Sequence, residues 1–541
     1  MVNRPECDLR EPIVTHPSYQ QTSKQIVRER ALGHAVRALS SERDSAPIVL
    51  LPELFATIEV ALKTLGDKDV ARQTVEEIES WSQTYTTKIG KREPSELSVL
   101  YLCGPEPLND LKVLVEYGVN PDNVWAVESQ GAEFAKAAAQ LGSPPFSVKI
   151  HRGDLAQFFD SYDERFDIVY YDSCSPLLSR KPNALDPILK LLANGRLSPL
   201  AVLVTNFAEI PSEHHDAYCG VLSSYFRFRY RDVPQALWAS GLDPAECEVA
   251  DEELRVVIAQ APEPFYSDFI TRFLVDLARY WIPNCRALAH RAVADLYLAD
   301  KRTRDDSLDA AQFIPPGKPN TLEELNEWIR ETGDIVLSPG SYPLDSFLRS
   351  LKAANPSDPL ISQLGNLKIC GQEAGRLIGY ASIMDKVLEG HWNCLSQPML
   401  RAIAWSWFDR QHPFSCDAPL PNLLVNSLLG IYGRPAFPNV RRSCRLTYRA
   451  KQTQMFTDVL LLDQCRYYFD WLPTVEQAPK RFESRGCQVL ARCILDLIGR
   501  SDWSSESHPF RGAAVASHGE IPSAVFHEFP PRHALPIPEL N

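Results

Sequence analysis

Between residues 95 and 210, short apolar runs alternate with stretches of helical period. SVLYLC (98–103), NVWAVE (123–128), SVKIHRGD (147–154), FDIVYYD (166–172) and LAVLVTNF (200–207) are short and rich in β-branched and aromatic residues, as strands buried on both faces are. Between them, PLNDLKVLVEYG (107–118), GAEFAKAAAQLG (131–142), LAQFFDSY (155–162) and DPILKLLANGRL (186–197) repeat apolar positions at helical spacing. The first two end in glycine, a common helix stop. Strands separated by helices of about ten residues predict a parallel sheet with helices on both faces, an α/β fold.

The rest of the chain is less regular. Residues 1–45 are polar, with weak helical character around QTSKQIVRERALGHAVRAL. Residues 48–86 predict two or three helices, and Lys88, Gly90 and Lys91 punctuate the chain before the alternating run. Residues 221–300, 361–410 and 484–499 look helical, with proline-rich and glycine-rich joints such as FIPPGKPN and LSPGSYPLD. RLTYRAKQTQMFTDVLLLDQCRYYFDWL (445–472) has β-rich stretches, and FTDVLLLDQCRYYFDW reads as a strand returning to the main sheet. The last forty or so residues are rich in Pro, His, Ser and Ala, which predicts partial disorder. The pattern divides into a helical region 1–94, a Rossmann-like core 95–210, a mainly helical insertion or second domain 211–430, and a C-terminal α/β region 431–541.

Composition narrows the class. At 541 residues the chain exceeds what one core sustains, so several domains are expected. The apolar fraction of 45% and charged fraction of 23% are those of a soluble globular protein. A net charge of −13 argues against a general coat for DNA or membrane. The opening MVNRPECDLR is charged, unlike a secretory leader, and no apolar run is long enough to span a bilayer. With 13 scattered cysteines, this predicts a cytoplasmic chain with free thiols and no membrane role.

Ligands of open α/β sheets bind beyond the carboxyl ends of the strands, and here each end carries polar residues. Gly104 and Glu106 follow the first strand, and Glu128 ends the second. Gly153 and Asp154 end the third, Asp172–Pro176 follows the fourth, and Thr205 and Asn206 close the fifth. A carboxylate at Glu128 suits both hydroxyls of a ribose lying across the first two strands. The alternative is a plain surface acid.

These stretches resemble the class I S-adenosylmethionine-dependent methyltransferases. The resemblance covers about residues 95–210. The family's glycine-rich loop matches Cys103-Gly104-Pro105-Glu106-Pro107-Leu108, where only Gly104 keeps the tight turn and no acid precedes it. Its ribose-binding acid matches Glu128, and its adenine-contacting position matches Asp154 with Leu155 beside it. Its fourth-strand motif matches Asp172–Pro176. The resemblance implies a Rossmann-like methyltransferase fold with added helical regions. It also implies S-adenosylmethionine as cofactor on Gly104, Glu106, Glu128, Asp154 and Leu155. Asp172 would orient or deprotonate the acceptor, with Asn206 assisting. The loop chemistry fits: Pro105 has no amide to donate, and Glu106 would repel a diphosphate yet tolerate a sulfonium nucleoside. An empty pocket, with Glu106 merely capping the helix, is the competing reading. FDIVYYDSCSP also resembles the fourth-strand segment of aminopropyl transferases, although Ser175 replaces their second acid. Three functions therefore stand: a methyltransferase of unknown acceptor, a noncatalytic protein binding a nucleotide or partner on this fold, and an aminopropyl-type transferase.

Other residues are weighed against blander roles. His214, His215 and Cys219 lie in one loop and serve as substrate-loop or surface residues rather than metal ligands; no metal is expected. His391 and Cys394, and Cys487 and Cys493, fit structural roles. Cys174 reads as a pocket wall, with His151 on a neighbouring strand as its one candidate base. The run 434–451 holds Arg434, Arg441, Arg442, Arg445, Arg449 and Lys451 without an acid. Arg441, Arg442 and Arg445 could grip nucleic-acid phosphates, or the run could dock on an acidic surface of the same chain. A protein partner or a second copy of the chain is also open.

Overall fold

The computed structural model describes residues 22–48, 50–52, 68–104, 106–142, 147–179, 183–226, 250–283, 286, 432–471 and 529–535. Two helices lead in, α1 (Thr22–Leu39) and α2 (Lys68–Ile89). The alternating run follows: β1 (Val99–Leu102), α3 (Leu108–Glu116), β2 (Val124–Glu128), α4 (Gly131–Leu141), β3 (Lys149–Arg152), α5 (Leu155–Ser161), β4 (Phe166–Asp172), α6 (Asp186–Ala193) and β5 (Leu197–Ala208). Then come α7 (His215–Phe226), α8 (Ala250–Gln260) and α9 (Pro262–Asp276). Near the C-terminus lie β6 (Phe437–Pro438), β7 (Cys444–Ala450), β8 (Thr453–Asp463), the short α10 (Arg466–Phe469) and β9 (His533–Ala534).

The strands form one mixed sheet in the order β3-β2-β1-β4-β5-β8-β7-β9, with β6 also pairing β8. The first five run parallel, in registers such as Tyr101 beside Ala126 and Tyr170 beside Val204. β8 joins β5 antiparallel over nine residue pairs, from Leu200–Asp463 to Ala208–Met455. β7 then pairs antiparallel with β8. The sheet thus changes from parallel to antiparallel where a distant part of the chain joins it.

Alternation along the strands divides the core between the two faces. Val99, Tyr101, Ala126, Ile168, Tyr170, Val202, Val204, Val459 and Leu461 face α1, α3 and α4. Leu100, Val127, Val169, Tyr171, Ala201, Leu203, Leu460 and Leu462 face α5, α6, α7 and α9. A leucine, valine or phenylalanine buried here contributes about 1.5–3 kcal/mol relative to exposure. Helix α1 presents Val27, Ala31, Leu32, Ala35, Val36 and Leu39 as one apolar stripe, all nearly fully buried. Its Gly33 admits the ring of Tyr117 at the end of α3; a Cβ there would lie 2.4 Å from that ring. Helix α2 packs Trp81 and Tyr85 against Tyr467 of α10, and the Trp81 indole donates to the Tyr467 carbonyl at 3.0 Å.

Candidate functional site

The carboxyl ends of the five parallel strands lie along one edge. On its β1–β3 side, three loops interlock through the backbone. Cys103 N donates to Val127 O at 3.2 Å, and Gly153 N donates to Glu128 O at 3.0 Å. Gly104 has a φ of +55°, which glycine adopts without strain. Among the described residues, its chain neighbours aside, no atom stands within 4 Å of where its Cβ would project. Glu128 is 9% exposed, and one carboxylate oxygen accepts from Gln130 N at 2.8 Å. It is therefore a buried, positioned acid rather than the solvent-facing one its strand-end location suggests. Glu106 is exposed; its carboxylate accepts from the Asn109 side chain at 2.6 Å, and no side chain caps the backbone of α3. Asp154 is the N-cap of α5, accepting from Ala156 N at 2.7 Å, so the third strand ends earlier than SVKIHRGD suggests. Leu155, one residue on, is buried in the core beneath.

The β4–β5 side holds a connected polar cluster. Asp172 accepts from Asn206 Nδ2 at 2.8 Å and from Cys174 Sγ at 3.0 Å. Asn206, 1% exposed, also donates to Tyr448 Oη at 2.9 Å and accepts from Thr457 Oγ1 at 2.9 Å. Its amide is thus fixed from both sides and holds Asp172 from below. Over the cluster lies α1. Lys24 Nζ is 2.8 Å from Asp172 and 3.6 Å from Cys174 Sγ. One turn further along α1, Arg28 pairs with Asp110 of α3, both side chains under 10% exposed.

The charges follow from this packing. Burial raises the cost of ionising Asp172, but the Lys24 ammonium and the bonds from Cys174 and Asn206 outweigh it and hold the carboxyl below its usual range. Burial likewise opposes the charge on Lys24, yet Asp172 above all leaves its pKa raised. Asp172 is an ionised hydrogen-bond acceptor and a weak base while Lys24 sits on it. Cys174 is exposed at its backbone turn (φ +52°), but the protein around its sulfur, and then Asp172, push the thiol up to about 12. It is a poor nucleophile.

Several expectations are corrected. His151 is not beside Cys174, because β2 and β1 separate β3 from β4. Its ring packs on Phe158 and Tyr162 instead. Of the basic run, Arg445 is 4% exposed and donates to Asp268 at 2.6 Å, which removes it from any external phosphate. Arg442 is paired with Glu42. These two arginines dock on acids of the same chain, while Arg441 is half-buried and Arg449 and Lys451 are exposed. His214 and His215 are exposed, Cys219 is buried in α7, and His215 Nε2 lies 3.2 Å from Ile210 O. Among the described residues no group of three or more His, Cys, Asp or Glu is placed to hold a metal. His391, Cys394, Cys487 and Cys493 lie outside the described residues.

Tyr448 stands out only as an aromatic interleaved in the basic run, and Lys24, Arg28 and Thr457 do not stand out in the sequence as site residues. Their one signal is the i, i+4 spacing of Lys24 and Arg28, which puts two cations on one helix face. A small cleft lined by Leu192, Gly195, Gly433 and Gln464 lies at the opposite, amino end of β5 and shares no residue with the strand-end cluster.

No protein-family model matches the sequence, and no curated protein matches it. Among solved structures, an S-adenosylmethionine-dependent methyltransferase from Clostridium acetobutylicum ATCC 824 is similar at a TM-score of 0.18. Identity is 16% over 24% of this chain, and the match spans 50% of that protein. The likeness is too slight to bear on function. The fold is α/β, and its sheet is mixed, parallel through β3-β2-β1-β4-β5 and antiparallel where β8 joins β5. Among the described residues no helix is long and apolar enough to cross a membrane.

Proposed function

We propose that the chain is an S-adenosylmethionine-dependent methyltransferase. The observation that carries this reading is the row of polar groups along the carboxyl edge, with Glu128 held at the end of β2 beside the turn at Gly104. In this reading the cofactor lies over β1–β3. Glu128 accepts from the ribose hydroxyls through its second oxygen, Gly104 allows close approach, and Glu106 provides negative charge near the sulfonium. Asp154 and Leu155 mark the adenine end; Asp154 takes part through its exposed edge while capping α5. The acceptor stands over β4 and β5, oriented by Asp172 with Asn206 beneath it. The cofactor supplies an activated methyl group. The protein's task is to align the acceptor behind it and exclude water. Proton removal by Asp172 is disfavoured while Lys24 is in contact, so orientation is its primary role.

A noncatalytic binding protein on the same frame is the second reading, and the Lys24–Asp172 pair favours it because the acceptor side is closed by the chain itself. Calorimetric titration with S-adenosylmethionine, S-adenosylhomocysteine, NAD and ATP tests the cofactor assignment. Tighter binding of the first two is expected; tighter binding of NAD or ATP would remove the basis for the reading.

A further inference from the structure

Asp172 is 11% exposed at its side chain, and among the described residues three groups converge on it: the Asn206 amide, the Cys174 thiol and the Lys24 ammonium. The first two come from the sheet edge. Asn206 is locked by Tyr448 and Thr457, so the carboxylate keeps its place whatever happens above it. Lys24 differs, because it arrives from another layer, on the first turn of α1, at 28% side-chain exposure. The rest of α1 is held one turn on by the buried Arg28–Asp110 pair and by its apolar stripe. Lys24 can therefore withdraw by fraying one helical turn, the least costly motion a helix makes, while α1 stays docked. Withdrawal leaves a buried, ionised carboxylate without its cation, a state that strongly favours replacement by another.

We propose that Asp172, with Asn206 and the Tyr448 hydroxyl beside it, forms a binding site for a primary alkylammonium group, which Lys24 fills in cis and a cationic ligand enters when the first turn of α1 frays. Where the carboxylate accepts from Nζ, a ligand ammonium finds the same charge-assisted bond. The assignment of this ligand as methyl acceptor rests on the methyltransferase reading; the ammonium site itself does not.

Chemical rescue tests it. Lys24→Ala in the full chain removes the atoms of propylammonium and leaves Asp172 without its paired ammonium. The variant is expected to melt below the unmodified chain. Propylammonium should restore its melting temperature saturably, 1-propanol at equal concentration should not, and Lys24→Ala/Asp172→Asn should gain nothing from propylammonium. Absence of rescue, equal rescue by propanol, or rescue that persists without the Asp172 charge would overturn the proposal. If Lys24→Ala does not fold alone, refolding yield decides in the same way: recovery with propylammonium only supports the site, and recovery with neither additive or with both refutes it. No cofactor enters these measurements, so their outcome and that of the cofactor titration are read independently.

Discussion

Glu128 and Arg28 show how much one side chain can carry at this edge. Glu128 keeps one oxygen on Gln130 N and, in the proposed function, offers the other to a ribose. Glu128→Gln retains an acceptor for the backbone bond but loses the charge. Hydrogen bonds to charged groups contribute roughly 1.5–3 kcal/mol, so affinity for S-adenosylhomocysteine should fall about tenfold or more. Calorimetry beside thermal melts checks this, with the melt little changed. Arg28→Ala leaves Asp110 buried without its partner, and loss of roughly 3–5 kcal/mol of stability is expected in denaturant titration. The two residues differ in how far the sequence exposes them. Glu128 is visible because it closes an apolar strand, so its position follows from local pattern. The Arg28–Asp110 pair joins residues 82 apart, and no local period encodes such a meeting.

At the scale of elements, strands buried on both faces are legible because nearly every residue in them must be apolar. FDIVYYD is a strand over its whole predicted length, and its neighbours differ by a few residues at their ends. SVKIHRGD overstates β3 because that strand lies at the sheet edge with exposed residues, where apolar content no longer marks the boundary. The joint after β8 carries its own titration. Asp463 accepts from Ile48 N, Cys465 N and Tyr467 Oη at 2.7–3.1 Å. Burial nonetheless pushes its pKa up to about 6, against those bonds, from an ordinary 3.8. The folded chain therefore binds this proton more tightly than the unfolded one. The resulting stabilisation is complete below about 3.8 and is lost as pH rises through 6. Asp463→Asn should flatten the fall in melting temperature between pH 5 and pH 7, and melts of both chains at the two pH values check it.

In the whole molecule, distant segments meet over buried charge. Asp458 on β8, fully buried, lies 2.6 Å from Arg532 and accepts from Thr271 Oγ1 at 2.9 Å. Arg532 belongs to the short segment 529–535, whose β9 pairs with β7. Arg532→Ala should cost about 3–5 kcal/mol, read by denaturant titration, because Asp458 cannot regain water. In the basic run, Arg445→Ala should likewise act on stability, through Asp268 and Asp458. The basic character of that run is plain in the sequence; the inward direction of Arg445 is not, because the acids it meets lie on α9 and β8. The arrival of β8 beside β5 has a further consequence, in time rather than space. Glu209, just beyond β5, and Gln454 of β8 are bonded across 245 residues of chain. At about 5–20 residues per second of synthesis, the β5 edge waits roughly 12–50 s on the ribosome for its partner. Throughout that interval β5 lacks the β8 backbone it pairs with in the folded chain, and an unpaired apolar strand edge favours aggregation.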